Sequence, residues 1–146
     1  MRLLPPRDDD YRGSPLAVAF LWLLVAVNLF RGGVHVFASD SGAARIGGLD
    51  LSQGGAAIVS LLAAVGVDQL AWAAILAGVL VRWRRWIPLV LAVLLAKQLA
   101  AVWLLWSWKP LPVDVPGKFG ALAALPLVTG ALWLSLRERP ARSAPG

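Results

Sequence analysis

Residues 55–107 read GAAIVSLLAAVGVDQLAWAAILAGVLV, then RWRR, then WIPLVLAVLLAKQLAAVWLLWS. Two apolar stretches, each long enough to cross a hydrocarbon core as a helix, flank a link of a few residues. A link this short makes them an antiparallel hairpin. One charge stands near the centre of each stretch, Asp68 in the first and Lys97 in the second. An ionisable side chain at membrane depth costs roughly 2.5–3.5 kcal/mol on insertion scales, so it rarely stands there without a partner or a task. Thirteen residues separate Asp68 from Val81, about 20 Å of helix, and eleven separate Lys97 from Trp86, about 16 Å. The opposite charges are therefore expected within about one turn of each other, as a buried pair across the hairpin.

Outward from this hairpin lie two more apolar runs, Pro15–Phe37 and Gly117–Leu136, so the spans are about 15–37, 55–81, 86–107 and 117–136. Continuous apolar runs lack the alternation of barrel strands, and only helices or closed barrels can span a bilayer. The fold class is all-α: a polytopic integral membrane four-helix bundle. With 59% hydrophobic residues and a mean hydropathy of +0.71, the spans consume most of the chain and leave no room for a separate soluble domain. One transmembrane domain over 1–146 is expected, with short disordered tails at both ends.

The net charge of +6 would point to nucleic acid in a soluble protein. Here the basic residues cluster at span ends, which is membrane topology, and nucleic acid is not an expected partner. Arg2, Arg7 and Arg12, then Arg82, Arg84 and Arg85, then Arg137, Arg139 and Arg142 fall on one side; Arg31, Arg45, Lys109 and Lys118 fall on the other. This bias puts both termini in the cytoplasm and argues against a dual-topology transporter. Composition rich in Ala, Leu, Val, Gly and Arg fits a multi-pass protein of a bacterial cytoplasmic (inner) membrane. Val36-Phe37-Ala38 loosely fits a signal-peptide cleavage rule, but the leading aspartates and the polar Asn28, Arg31 and His35 favour an uncleaved first helix.

The loops carry their own signals. Trp83 and Trp86 suit the headgroup region, and the hairpin arginines can snorkel to lipid phosphates. The Gly- and Ser-rich stretch 38–54 is expected to fold back as a short re-entrant or interfacial turn around Ile46, Leu49 and Leu51. The stretch from Lys109 is extended by its prolines and ends at a Pro116-Gly117 helix start.

Recognised catalytic signatures are missing. The sequence has no cysteine, one histidine and one glutamate, too little for a thiolate or His/carboxylate metal set. It has no Gly-rich phosphate loop, paired carboxylates or Ser/His/Asp set. Asp8-Asp9-Asp10 lacks the glycine and distal carboxylate of a calcium loop and reads as a solvated charge run. No cofactor or metal is implied.

The remaining polar residues form a seam in projection. Asn28 lies at the depth of Asp68 and Lys97, Gln69 and Gln98 follow those charges, and Arg31 and His35 continue outward on the Asn28 face. The seven are expected to face the bundle interior, because turning them all toward lipid is costly. As structure, they are interhelical glue that sets register. As a site, they are an outward-facing pocket for a ligand or proton, walled by Trp72, Trp103 and Trp106. Pro126 is expected to kink the last helix, eased by Thr129 and Gly130. The small-residue pairs Ala74/Gly78, Ala96/Ala100 and Gly120/Ala124 read as close-packing surfaces within the bundle or between protomers.

Arg31-Gly32 near the end of the first helix, the hairpin Val81–Ile87 and the closing Pro116-Gly117-Lys118-Phe119-Gly120 resemble small four-helix bacterial membrane proteins of the DoxX-like families. The resemblance extends to helix number, length and inward termini, and implies no catalytic residue. Three functional classes follow, in this order: a non-enzymatic accessory subunit or structural bundle, partnered by a membrane protein or its own copies; a binder or carrier of a hydrophobic small molecule such as a lipid or quinone, or of a proton; and a membrane enzyme acting on a lipid or quinone with Asp68 or His35 as acid and base.

Overall fold

The computed structural model describes residues 8, 10–110 and 113–137. The tails expected to be disordered fall largely outside these residues, as do Asp9, Arg139 and Arg142. The described chain is helical, in four main elements: α1 (Pro15–Phe37), α2 (Gly55–Arg82), α3 (Ile87–Trp103) and α4 (Pro116–Leu136). All four helical segments are long and apolar enough to cross a membrane, α3 together with its flanking turns over Arg84–Trp108. The observed ends differ from the expected spans by a residue or so, except at the C-terminal end of α3, which stops at Trp103.

Local chemistry accounts for these ends. Ser14 caps α1, its hydroxyl accepting from the Leu16 N–H at 3.2 Å, with Pro15 preset for the first helical position. Trp83 ends α2, and a 3₁₀ turn over Arg84–Trp86 passes the chain into α3, with Pro88 in its first turn. The Arg84 Nε donates to the Leu80 carbonyl at 2.8 Å, occupying an acceptor at the α2 end. Beyond Trp103 the helix widens to a π turn over Leu104–Trp108, closed by the Lys109 N–H on the Leu104 carbonyl at 2.8 Å. The five-residue spacing brings the rings of Trp103 and Trp108 within 5.2 Å of each other. Within α4, the Thr129 hydroxyl donates to the Leu125 carbonyl at 2.8 Å, near Pro126.

Although the hairpin joins α2 to α3, each packs mainly against another helix: α2 along α1, and α3 along α4, with α1 and α4 in contact. A close crossing lies between Gly32 of α1 and Gly66 of α2, where a Cβ on Gly32 would stand 2.9 Å from the Gly66 carbonyl oxygen. Within the bundle the small-residue pairs expected as close-packing surfaces do not make this crossing: Ala74, Ala96, Ala100 and Gly120 are exposed, and Gly78 and Ala124 are half-buried. The buried core gathers Ala17, Leu21 and Val25 with Leu76, Val79 and Leu80, Ile87 and Leu91, and Ala131. It lies at the hairpin end, where all four helices meet. At this end the Asp8 N–H donates to the Arg82 carbonyl and the Ser14 N–H to the Leu134 carbonyl, so the leading segment, the hairpin and the end of α4 share one side of the bundle. Large apolar side chains such as Leu61, Leu99 and Leu127 are exposed, the inverse of a water-soluble bundle.

Candidate functional site

Asp68 and Lys97 meet as their depths require, with Lys97 Nζ 3.2 Å from Asp68 Oδ2. The ammonium also lies 4.8 Å from the centre of the Trp72 ring, one turn along α2 from Asp68, a second electrostatic partner for the same charge. The expectation of burial is corrected. The side chains are 59% exposed for Asp68 and 48% for Lys97. Because α2 and α3 pack on α1 and α4, the face they share across the hairpin is left uncovered, and the long lysine side chain bridges it. Ala64 and Ala71 on α2 and Ala100 on α3, each one turn from a charge, are exposed on the same stretches.

The other five seam residues are not one array. Asn28 is satisfied within its own helix, its Nδ2 donating to the Leu24 carbonyl at 2.7 Å. Gln98 turns the other way from its neighbour Lys97, its Nε2 donating to the Ala121 carbonyl and tying α3 to α4. Gln69 is half-buried, and its Oε1 accepts no hydrogen bond among the described residues. His35 and Arg31 lie apart from these, at the outer end of α1.

His35 is built into the loop that joins α1 to α2. Its Nδ1 lies 2.6 Å from the Ser41 carbonyl oxygen, and since a carbonyl only accepts, Nδ1 carries the proton. Ser41 is buried and takes the left-handed backbone region at φ 49°, while its hydroxyl donates to the Val59 carbonyl of α2 at 3.1 Å. Asp40 organises the next turn by accepting from the Arg45 N–H at 2.9 Å and the Gly42 N–H at 3.0 Å. These two bonds, the Arg45 one foremost, hold the Asp40 carboxyl below its ordinary pKa; two bonds from Ser52 do the same for Asp50.

Folded back in this way, the loop walls one side of a half-open cavity of about 360 Å³ between α1, α2 and the start of α4. Arg31 and His35 are on its wall with Phe30, Val34, Ile46, Leu49, Leu62 and Val65; Val115, Pro116 and Gly117 complete it. The tryptophans expected as pocket walls are elsewhere. Trp72 serves Lys97, Trp103 pairs with Trp108, and Trp106 meets Phe119 edge-on at 5.8 Å with Lys118 over its face at 4.6 Å. The signals for the true wall were the fold-back at Ile46 and Leu49 and the Pro-Gly start of α4. The side chains that α1 and α2 contribute carried no signal, being apolar residues in apolar helices.

Compared with protein families, with curated proteins and with solved structures, the chain matches none. The fold therefore defines the class by itself: an all-helical protein with four segments apolar enough to be membrane spans.

Proposed function

We propose that this chain is a non-enzymatic bundle of a bacterial cytoplasmic membrane, with both termini inside, that assembles through the α2/α3 face carrying Asp68 and Lys97. Its likeness to the DoxX-like families belongs to the same proposal. Orientation rests on the excess of arginine at the hairpin and tails, and the non-enzymatic character on the scarcity of ionisable side chains within the spans.

The observation that carries the proposal is the half-exposed ion pair. A charge pair facing hydrocarbon is poorly solvated, and covering it with another helix removes that cost. A second copy fits by symmetry. Two opposite charges side by side at one depth are self-complementary about a two-fold axis along the membrane normal, each Asp68 reaching a Lys97 of the other copy. The exposed alanines beside the pair permit the close approach that membrane helices need, since packing and not water exclusion drives their association.

The cysteine-free sequence makes the test direct. Single cysteines at Ala71, Ala100 and, as control, the exposed Ala123 of α4 are oxidised in native membranes. Disulfide dimers at Ala71 or Ala100 above the Ala123 level support assembly through this face, since bridging requires Cα atoms within about 7 Å. A monomer by native mass spectrometry, with no crosslink above control and no copurifying membrane protein, overturns the proposal.

A further inference from the structure

The cavity beside Arg31 combines features that no part of the assembly proposal uses. Arg31 is exposed and makes no hydrogen bond or ion pair with another described residue. Near the end of a membrane-length helix a guanidinium either pairs with an acceptor or reaches for the polar interface, where anionic groups are at hand. Its NH2 nitrogen lies 3.6 Å from the position a Cβ would take on Gly117, so it rests over the first turn of α4. That turn has no side-chain cap. The start of a helix carries partial positive charge, so guanidinium and helix end repel each other unless an anion lies between them.

The nearby acids are already committed. Asp40 is held by the Gly42 and Arg45 N–H groups, and Asp114 is paired with Lys118 at 3.0 Å. His35 also lies on the wall, with its Nδ1 turned to the Ser41 carbonyl, and the remaining side chains are apolar, among them Phe30 and Val34 on α1, Leu62 and Val65 on α2, and Ile46 and Leu49 of the folded-back loop. A volume of about 360 Å³ is within the ~300–1,000 Å³ typical of small-molecule sites.

We propose that this cavity binds an amphipathic anion, a single apolar chain ending in a phosphate or carboxylate, with the head between Arg31 and the start of α4 and the chain against Phe30, Leu62 and Val65. The head takes charge-assisted hydrogen bonds from Arg31, and the chain fills space that no side chain of the protein occupies.

Native mass spectrometry of the full chain in a neutral detergent tests the proposal with four probes: oleoyl lysophosphatidate, oleate, monoolein and inorganic phosphate. Lysophosphatidate and oleate are expected to bind at least about tenfold tighter than monoolein, which has the chain without the charge, and than inorganic phosphate, which has the charge without the chain. Arg31→Gln is expected to lose about tenfold or more toward both anionic lipids while keeping the wild-type melting temperature. Leu62→Trp, which fills the apolar end, is expected to exclude the chain-bearing probes. Unchanged lysophosphatidate affinity in Arg31→Gln, or monoolein binding as tightly as lysophosphatidate, overturns the anionic head. Inorganic phosphate binding as tightly as lysophosphatidate overturns the apolar half and makes this a site for a soluble anion.

Discussion

A Cβ placed on Gly66 of α2 would stand 2.7 Å from the Cβ of His35 on α1, closer than real Cβ contacts. The same hypothetical atom would lie 3.0 Å from the Gly32 carbonyl oxygen, so backbone as well as side chain closes the gap. The two helices touch here at the level where His35 turns to the Ser41 carbonyl, and the crossing thereby supports both the outer loop and the cavity.

Gly66→Ala is therefore expected to push α1 and α2 apart at a cost of about 1–3 kcal/mol, the usual range for overpacking. Gly120→Ala is the control, because nothing lies within 4 Å of its added Cβ. It is expected to be neutral or stabilising by about 0.5–1 kcal/mol, the helix-propensity gain over glycine. Thermal unfolding in detergent separates the two, and equal melting temperatures would contradict the crossing.

For the ion pair, Asp68→Asn and Lys97→Gln each leave one charge without its opposite midway along an apolar helix, which in a bilayer is expected to cost up to about 2.5–3.5 kcal/mol on insertion scales. The double variant removes both charges, leaves neither without its opposite, and is expected to regain most of the folded yield. The charge swap is expected to restore yield and crosslinking alike, because self-complementarity survives it. A swap that folds but stays monomeric would separate folding from assembly and count against the two-fold arrangement.

Gln98 offers a milder test of the α3/α4 contact. Gln98→Met keeps the volume and deletes the hydrogen bond to the Ala121 carbonyl. Interhelical bonds in membranes average about 0.6 kcal/mol, so a small destabilisation of that order is expected in denaturant titrations. A loss several times larger would mean that the amide does more than join the two helices.

The loop between α1 and α2 should be sensitive to acid. The bonds from the Arg45 and Gly42 N–H groups depress the Asp40 carboxyl in the folded loop, so their contribution is fully present above the ordinary carboxylate pKa of about 3.9 and is lost as pH falls through the lower folded value. Amide exchange at Gly42 and Arg45, corrected for its intrinsic pH dependence, is expected to quicken from about pH 5 to about pH 2. Asp40→Ala should show the quick exchange at both values, and protection independent of pH in the wild type would refute the role of Asp40.

Four helices long and apolar enough to span, their ends to within a residue or so except at the C-terminal end of α3, and the meeting of Asp68 with Lys97 were all legible in the sequence. Span length follows from continuous hydropathy, caps are local, and the fixed rise of a helix converts residue counts into depth. Rotation of each helix about its own axis was not legible. In a soluble bundle, water divides polar from apolar faces; in lipid, the surroundings are as apolar as the core, and helices that are apolar all round carry little record of which side faces inward. Only the tertiary structure paired α2 with α1 and α3 with α4, turned Asp68 and Lys97 toward the uncovered face, and set Arg31 against the start of α4.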